Sequence, residues 1–247
     1  MTSYATDTPH YLGQFPALAL AVLKGHFREA PPVAARRVRE DQLFTGKPAW
    51  LEAGDGGTPF DAFAAGRVTV DFSGGEKSVD GVSQYRDSAA KTIRAATGEL
   101  VWDYGRGRIL AQSPGTQGII GRAGREPVEL PGVRLEILTD FVSLLFTPLD
   151  DLPLARSRRI LLTALARDKQ TGARYSADGT ILEAAGTPPL LLEPVQAAIR
   201  LAGAPPVRVR ALDHRGVPKP GGSLTIGAGG VFRIDGLSES WLYEITR

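Results

Sequence analysis

The sequence predicts an all-β protein: an antiparallel two-sheet β-sandwich, with an N-terminal helix and an irregular strap before it. Three observations predict it. From Gly66 onward, short runs of alternating or β-branched residues recur at close intervals. Turn signals such as Asp178–Gly179, Arg215–Gly216 and Asp235–Gly236 separate several of them. No helical stretches alternate with these runs, so βαβ units are not indicated. A chain of 247 residues, 43% hydrophobic and 23% charged, has the length and composition to bury a substantial core.

The elements divide the chain into residues 1–30, a helical segment; 31–65, a linker or strap; and 66–247, the sandwich. In the first, Phe15, Leu18, Ala19, Val22 and Leu23 recur at helical spacing. Pro16 suits a first helical turn and Gly25 a stop, which sets the helix at about 16–23. One helix with one apolar face needs a partner surface. The strap holds Pro31–Pro32, Pro48, Pro59 and a turn at Gly54–Gly57, with a short strand expected at Val33–Val38 and a short helix at Arg39–Phe44. Strands are then expected at 67–72, 92–95, 99–103, 108–112, 133–138, 141–147, 160–167, 190–193, 197–201, 207–213, 223–226, 231–234 and 240–245.

Composition excludes several classes of function. No apolar run reaches the ~18 residues a membrane helix needs, so no membrane partner is expected. Phe15–Leu23 is too short and lacks a basic leader, so it does not read as a signal peptide. The chain has no Cys, which excludes disulfides and thiol chemistry and fits a cytoplasmic location. Net charge is +2, and the basic clusters at Arg36, Arg37, Arg39 and at Arg156, Arg158, Arg159 have no interleaved aromatic residues. Nucleic acid is therefore not an expected partner.

No complete catalytic motif is present. The three His, His10, His26 and His214, show no ligand spacing, and neither a metal nor a cofactor is expected. Phe72–Ser73–Gly74–Gly75 has the glycines of a nucleophile elbow without its pattern. Glycoside hydrolysis would need two converging carboxylates. Glu99 and Asp103 share one face of a strand with Val101, about 13 Å apart at roughly 3.3 Å per residue, too far for a retaining pair. Trp50, Trp102, Tyr104, Trp241 and Tyr243 offer flat apolar surfaces on which sugar rings stack, but core packing is the better reading for Trp102 and Trp241. The substrate-binding candidates are Trp50, Tyr104, Glu99 and Asp103.

The order of several segments carries a family resemblance: Ala96–Asp103, Ser113–Gly118, Ser157–Ala164, Leu192–Val195 and Trp241–Ile245. Together they resemble the C-terminal β-sandwich domain that follows a TIM-barrel catalytic domain in a group of bacterial glycoside-hydrolase-like proteins. Pro9–Arg28, with Gln14–Phe15–Pro16–Ala17, looks like the last helix of such a barrel. The resemblance implies a carbohydrate-associated accessory module, because the family's catalytic acid and base lie on barrel strands that this chain does not contain. Two departures stand out: Ser113–Pro114–Gly115 lacks the acidic and basic residues expected around that proline, and Gly121–Arg122–Ala123 lacks an aromatic residue. Two other readings stay open. One is a stand-alone hydrolase of glycoside or ester bonds, with its site between strap and sandwich. The other is a structural module that forms homo-oligomers through the N-terminal helix.

Overall fold

A computed structural model describes residues 9–37, 61–72, 79–177 and 179–247. They form two compact units, one of Met1–Lys24 with Pro114–Arg247 and one of Gly25–Ser113. The structure is mostly β, with several antiparallel sheets and an N-terminal helix, as the strand pattern predicts.

The larger unit opens with α1 (Pro9–Leu12) and α2 (Phe15–Leu23). Pro16 sits in the first turn of α2, and the Lys24 N–H closes its end on the Leu20 carbonyl. Ala17 and Ala21, spaced i,i+4, are buried, whereas Phe15, Leu18, Val22 and Leu23 are exposed. The expected apolar face is thus not the buried one. The small alanine face lets the helix approach its sheet closely.

The smaller unit runs through β1 (Pro32–Arg37), α3 (Ala62–Ala65), β2 (Arg67–Asp71) and β3 (Val79–Asp80). It continues through β4 (Arg86–Asp87), β5 (Thr92–Arg94), β6 (Leu100–Asp103) and β7 (Arg108–Gln112). β1 pairs with β2 in parallel and with β3 antiparallel, a departure from the all-antiparallel expectation. β4 to β7 form an antiparallel meander. Val33, Ala34, Ala62, Ala65, Val82 and Ile93 make the core of this unit, and Trp102 packs against it half-buried.

The remaining strands belong to the larger unit: β8 (Gln117–Arg122), β9 (Val128–Leu130), β10 (Val133–Ile137), β11 (Phe141–Pro148) and β12 (Arg159–Leu165). Two small ribbons follow, β13 (Asp168–Thr171) with β16 (Thr187–Leu192), and inside it β14 (Arg174–Tyr175) with β15 (Leu182–Ala184). The last are β17 (Ala197–Leu201), β18 (Arg208–Leu212), β19 (Pro218–Leu224), β20 (Phe232–Ile234) and β21 (Leu242–Thr246). One sheet has the order β19-β18-β21-β12-β11-β8, the other β20-β17-β10-β9. β10 shows a one-sided pattern: Val133, Leu135 and Ile137 are buried while Arg134 and Glu136 face water.

β11 and β12 are buried on both faces. Register places Val142, Leu144, Phe146, Ile160, Leu162 and Tyr243 on the apolar face. The opposite face carries Ser143, Thr147, Leu161, Thr163, Leu242 and Glu244, and α2 covers part of it. There Ser143 Oγ donates to Gln14 Oε1 at 3.2 Å, and Leu20 packs on Leu161, Leu212 and Leu242. Two glycines are required by close approach. A Cβ on Gly13 would meet Leu165 at 2.9 Å, and one on Gly118 would clash with the Leu144 carbonyl.

Candidate functional site

A concavity of the larger unit lies beside the start of β21. It has a volume of about 370 Å³, and Trp241, Tyr243, Glu193, Pro194, Glu239 and Ser240 help to line it. A second hollow of about 130 Å³ adjoins it, lined by Asp213, His214 and Lys219 together with Glu239, Ser240 and Trp241. Trp241 therefore contributes to both, and it is half-buried, one part of its ring packed on the Leu161–Leu212–Leu242 cluster. The sequence reading of Trp241 as a core residue accounts for that packed part only.

The wall that carries Glu239 is held rigidly. Lys219 Nζ donates to the Ser238 and Glu239 carbonyls at 2.8 and 2.9 Å. Glu239 itself adopts φ 46°, a conformation that costs a non-glycine residue on the order of 1 kcal/mol and persists only where its surroundings impose it. Ser240 Oγ accepts from the Leu242 N–H at 3.0 Å and lies 2.6 Å from the Leu212 carbonyl. Tyr243 donates its hydroxyl to the Ser240 carbonyl at 3.0 Å. Burial, with a smaller contribution from the Asp235 charge, pushes its phenol up to about 12.

The other polar groups are set in place by their own partners. Glu193 forms a two-point ion pair with Arg167 at 2.9 and 3.3 Å. Asp213 Oδ1 accepts from the backbone N–H of Val217 and of Arg215, both at 2.9 Å. The Val217 N–H above all holds its carboxyl below the usual range, so it is ionised at neutral pH. Among the described residues, the Glu239 carboxylate enters no ion pair.

The sequence-predicted candidates are placed elsewhere. Glu99, just before β6, and Val101 and Asp103 on it are all buried in the smaller unit, alternating as the sequence predicts. Glu99 accepts from the Arg28 backbone N–H at 2.8 Å and from Arg28 Nε at 2.9 Å. Asp103 accepts from the Arg106 N–H at 3.0 Å and from Arg108 Nε at 3.2 Å. Both carboxylates therefore cross-link the loops of that unit. Tyr104 lies edge-on to Trp102, ring centroids 5.9 Å apart, with the Arg86 guanidinium 5.6 Å from its own ring centre. Trp50 lies outside the described residues, as do the expected helix at 39–44, the Gly54–Gly57 turn and Ser73–Gly75.

Among the described residues no group of three or more His, Asp or Glu is placed to hold a metal ion, and no helix is long and apolar enough to cross a membrane. Asp213 and His214 enter the smaller hollow through the Arg215–Gly216 turn, where the Gly216 N–H donates to the Asp213 carbonyl at 2.9 Å. No family model, no curated protein and no solved structure matches this chain.

Proposed function

We propose that this chain is a carbohydrate-associated β-sandwich accessory module whose ligand rests on Trp241. The observation that supports this most is a half-buried indole shared by two adjoining hollows whose linings carry the carboxylates Glu193, Glu239 and Asp213. A sugar ring needs that combination, a flat apolar surface for its C–H face and polar groups around its edge. The resemblance to the sandwich domain of barrel-bearing glycoside-hydrolase-like proteins supports the same reading. The absence of Cys from the sequence supports a cytoplasmic location.

Replacing Trp241 by Ala is expected to weaken binding of neutral oligosaccharides by at least about tenfold, or ~1.4 kcal/mol. Isothermal titration of the full chain against cello- and manno-oligosaccharides checks it. An unchanged affinity in Trp241→Ala sinks the assignment of the site, and a parent chain that binds no sugar sinks the function.

The exposed side of α2 supports a second element of the proposal, self-association. Phe15, Leu18, Val22 and Leu23 leave an uncharged apolar strip in water, and a symmetric pair of helices would cover it with itself. Leu18→Asp with Val22→Asp is expected to turn a dimer into a monomer with little change in melting temperature, because neither side chain is buried within the chain. Sedimentation velocity decides it: a parent chain that sediments as a monomer ends this part of the proposal.

A further inference from the structure

Resting on that reading, we infer that the Trp241 concavity selects sugars that are neutral or carry an ammonium group, and rejects uronates and sulfated sugars. The larger hollow contains two carboxylates, Glu193 and Glu239, and no cationic side chain in its lining. Its 370 Å³ is roughly a dozen water volumes at ~30 Å³ each, room for about one hexose ring, so a ligand charge placed there sits close to both. The smaller hollow adds Asp213 and holds one formal cation, Lys219.

Two of the three donors of that lysine are turned to the Ser238 and Glu239 carbonyls, which directs them at the wall instead of at a ligand. Arg167 offsets Glu193 from outside the lining, and both oxygens of that carboxylate are engaged with it. The polar groups left to meet a ligand are therefore mostly acceptors, with Glu239 common to both hollows. Hydroxyls and ammonium groups supply the matching donors; a ligand carboxylate or sulfate supplies only more acceptors and a like charge. Glu239 lines both hollows and, among the described residues, its carboxylate enters no ion pair, so it acts as the specificity-determining residue.

The test is calorimetric titration of the full chain, at low ionic strength, with cello-oligosaccharides, glucosamine oligomers and galacturonate oligomers of equal length. The parent chain is expected to bind the galacturonate series at least about tenfold more weakly than either other series, with added salt narrowing the gap. Glu239→Gln is expected to narrow it at least about threefold. Glu239→Asn repeats the test with a residue that tolerates positive φ, which guards against a folding defect. Galacturonate binding as tight as the others overturns the inference and leaves the carbohydrate reading standing. A gap that both variants leave unchanged also overturns it, whereas no binding in any series removes the carbohydrate reading and the inference with it.

Discussion

Deleting Ser240–Arg247 is expected to abolish folding of the larger unit. The sequence places a strand at the C-terminus, and the structure puts it inside the sheet: β21 pairs with β12 on one side and with β18 on the other. Its loss would separate β18 and β19 from the rest and remove the buried side chains of Leu242, Tyr243 and Ile245 from the core. Burial of such side chains is worth about 1.5–3 kcal/mol each, so the three together rival the 5–15 kcal/mol that holds a whole domain. Circular dichroism and a thermal melt of the truncated chain check it. A soluble product with the parent melting temperature would mean that β21 contributes nothing to the sheet.

Replacing Glu244 by Ala is expected to cost about 2–3 kcal/mol at neutral pH. Glu244 is buried on β21, and Arg210 Nη2 donates to its Oε2 at 2.6 Å. Arg159 approaches Oε1 with Nη2 at 2.8 Å and Nε at 3.2 Å. Removing one partner of a buried pair costs roughly 3–5 kcal/mol, less here because Arg159 is largely in water. Hydrogen bonds from Arg210 first, then Arg159, hold the Glu244 carboxyl below its usual value. A carboxyl whose folded value is lowered contributes stability above its ordinary range near 4.5, lost as pH falls through the lowered folded value. Urea titrations at pH 7 and pH 3 should therefore differ more for the parent chain than for Glu244→Gln. An equal difference would show that Glu244 does not carry this acid sensitivity.

The strands were legible where one face of a sheet meets water. β10 announces itself by alternation, and its expected boundaries, like those of β17, differ from the observed ones by a residue or less. β11 and β12, buried on both faces, read as continuous apolar runs and were found by length instead. β8 was missed. Its sequence Gln-Gly-Ile-Ile-Gly-Arg has two glycines, which read as turn, yet Gly118 is required by the backbone of the neighbouring strand. The ribbons β13 to β16 were mostly missed because their residues are polar or exposed, with too little burial to impose a period.

The site was less legible than the fold. Trp241 was recognised as an aromatic surface and assigned to the core, and half of that is right. Glu239 gave no signal, since positive φ in a non-glycine residue cannot be read from the residue type. Glu99 and Asp103 stood out as two carboxylates on one strand face. Their arginine partners, Arg28 from far along the chain and Arg108 from the next strand, appear only when the chain is folded.

The larger unit is assembled from the two ends of the described chain, residues before Gly25 and after Ser113. This sets an order of events on the ribosome. At roughly 5–20 residues per second, α2 emerges many seconds before the strands it will cover, with its alanine face exposed throughout. The smaller unit is synthesised complete in the meantime and is free to fold first. Completion of the larger sheet waits for β21, so its central gap between β12 and β18 stays open until residue 246 has left the exit tunnel. During that interval β12 and β18 each lack the neighbour that β21 will supply, and an edge without its neighbour is where a foreign strand can add.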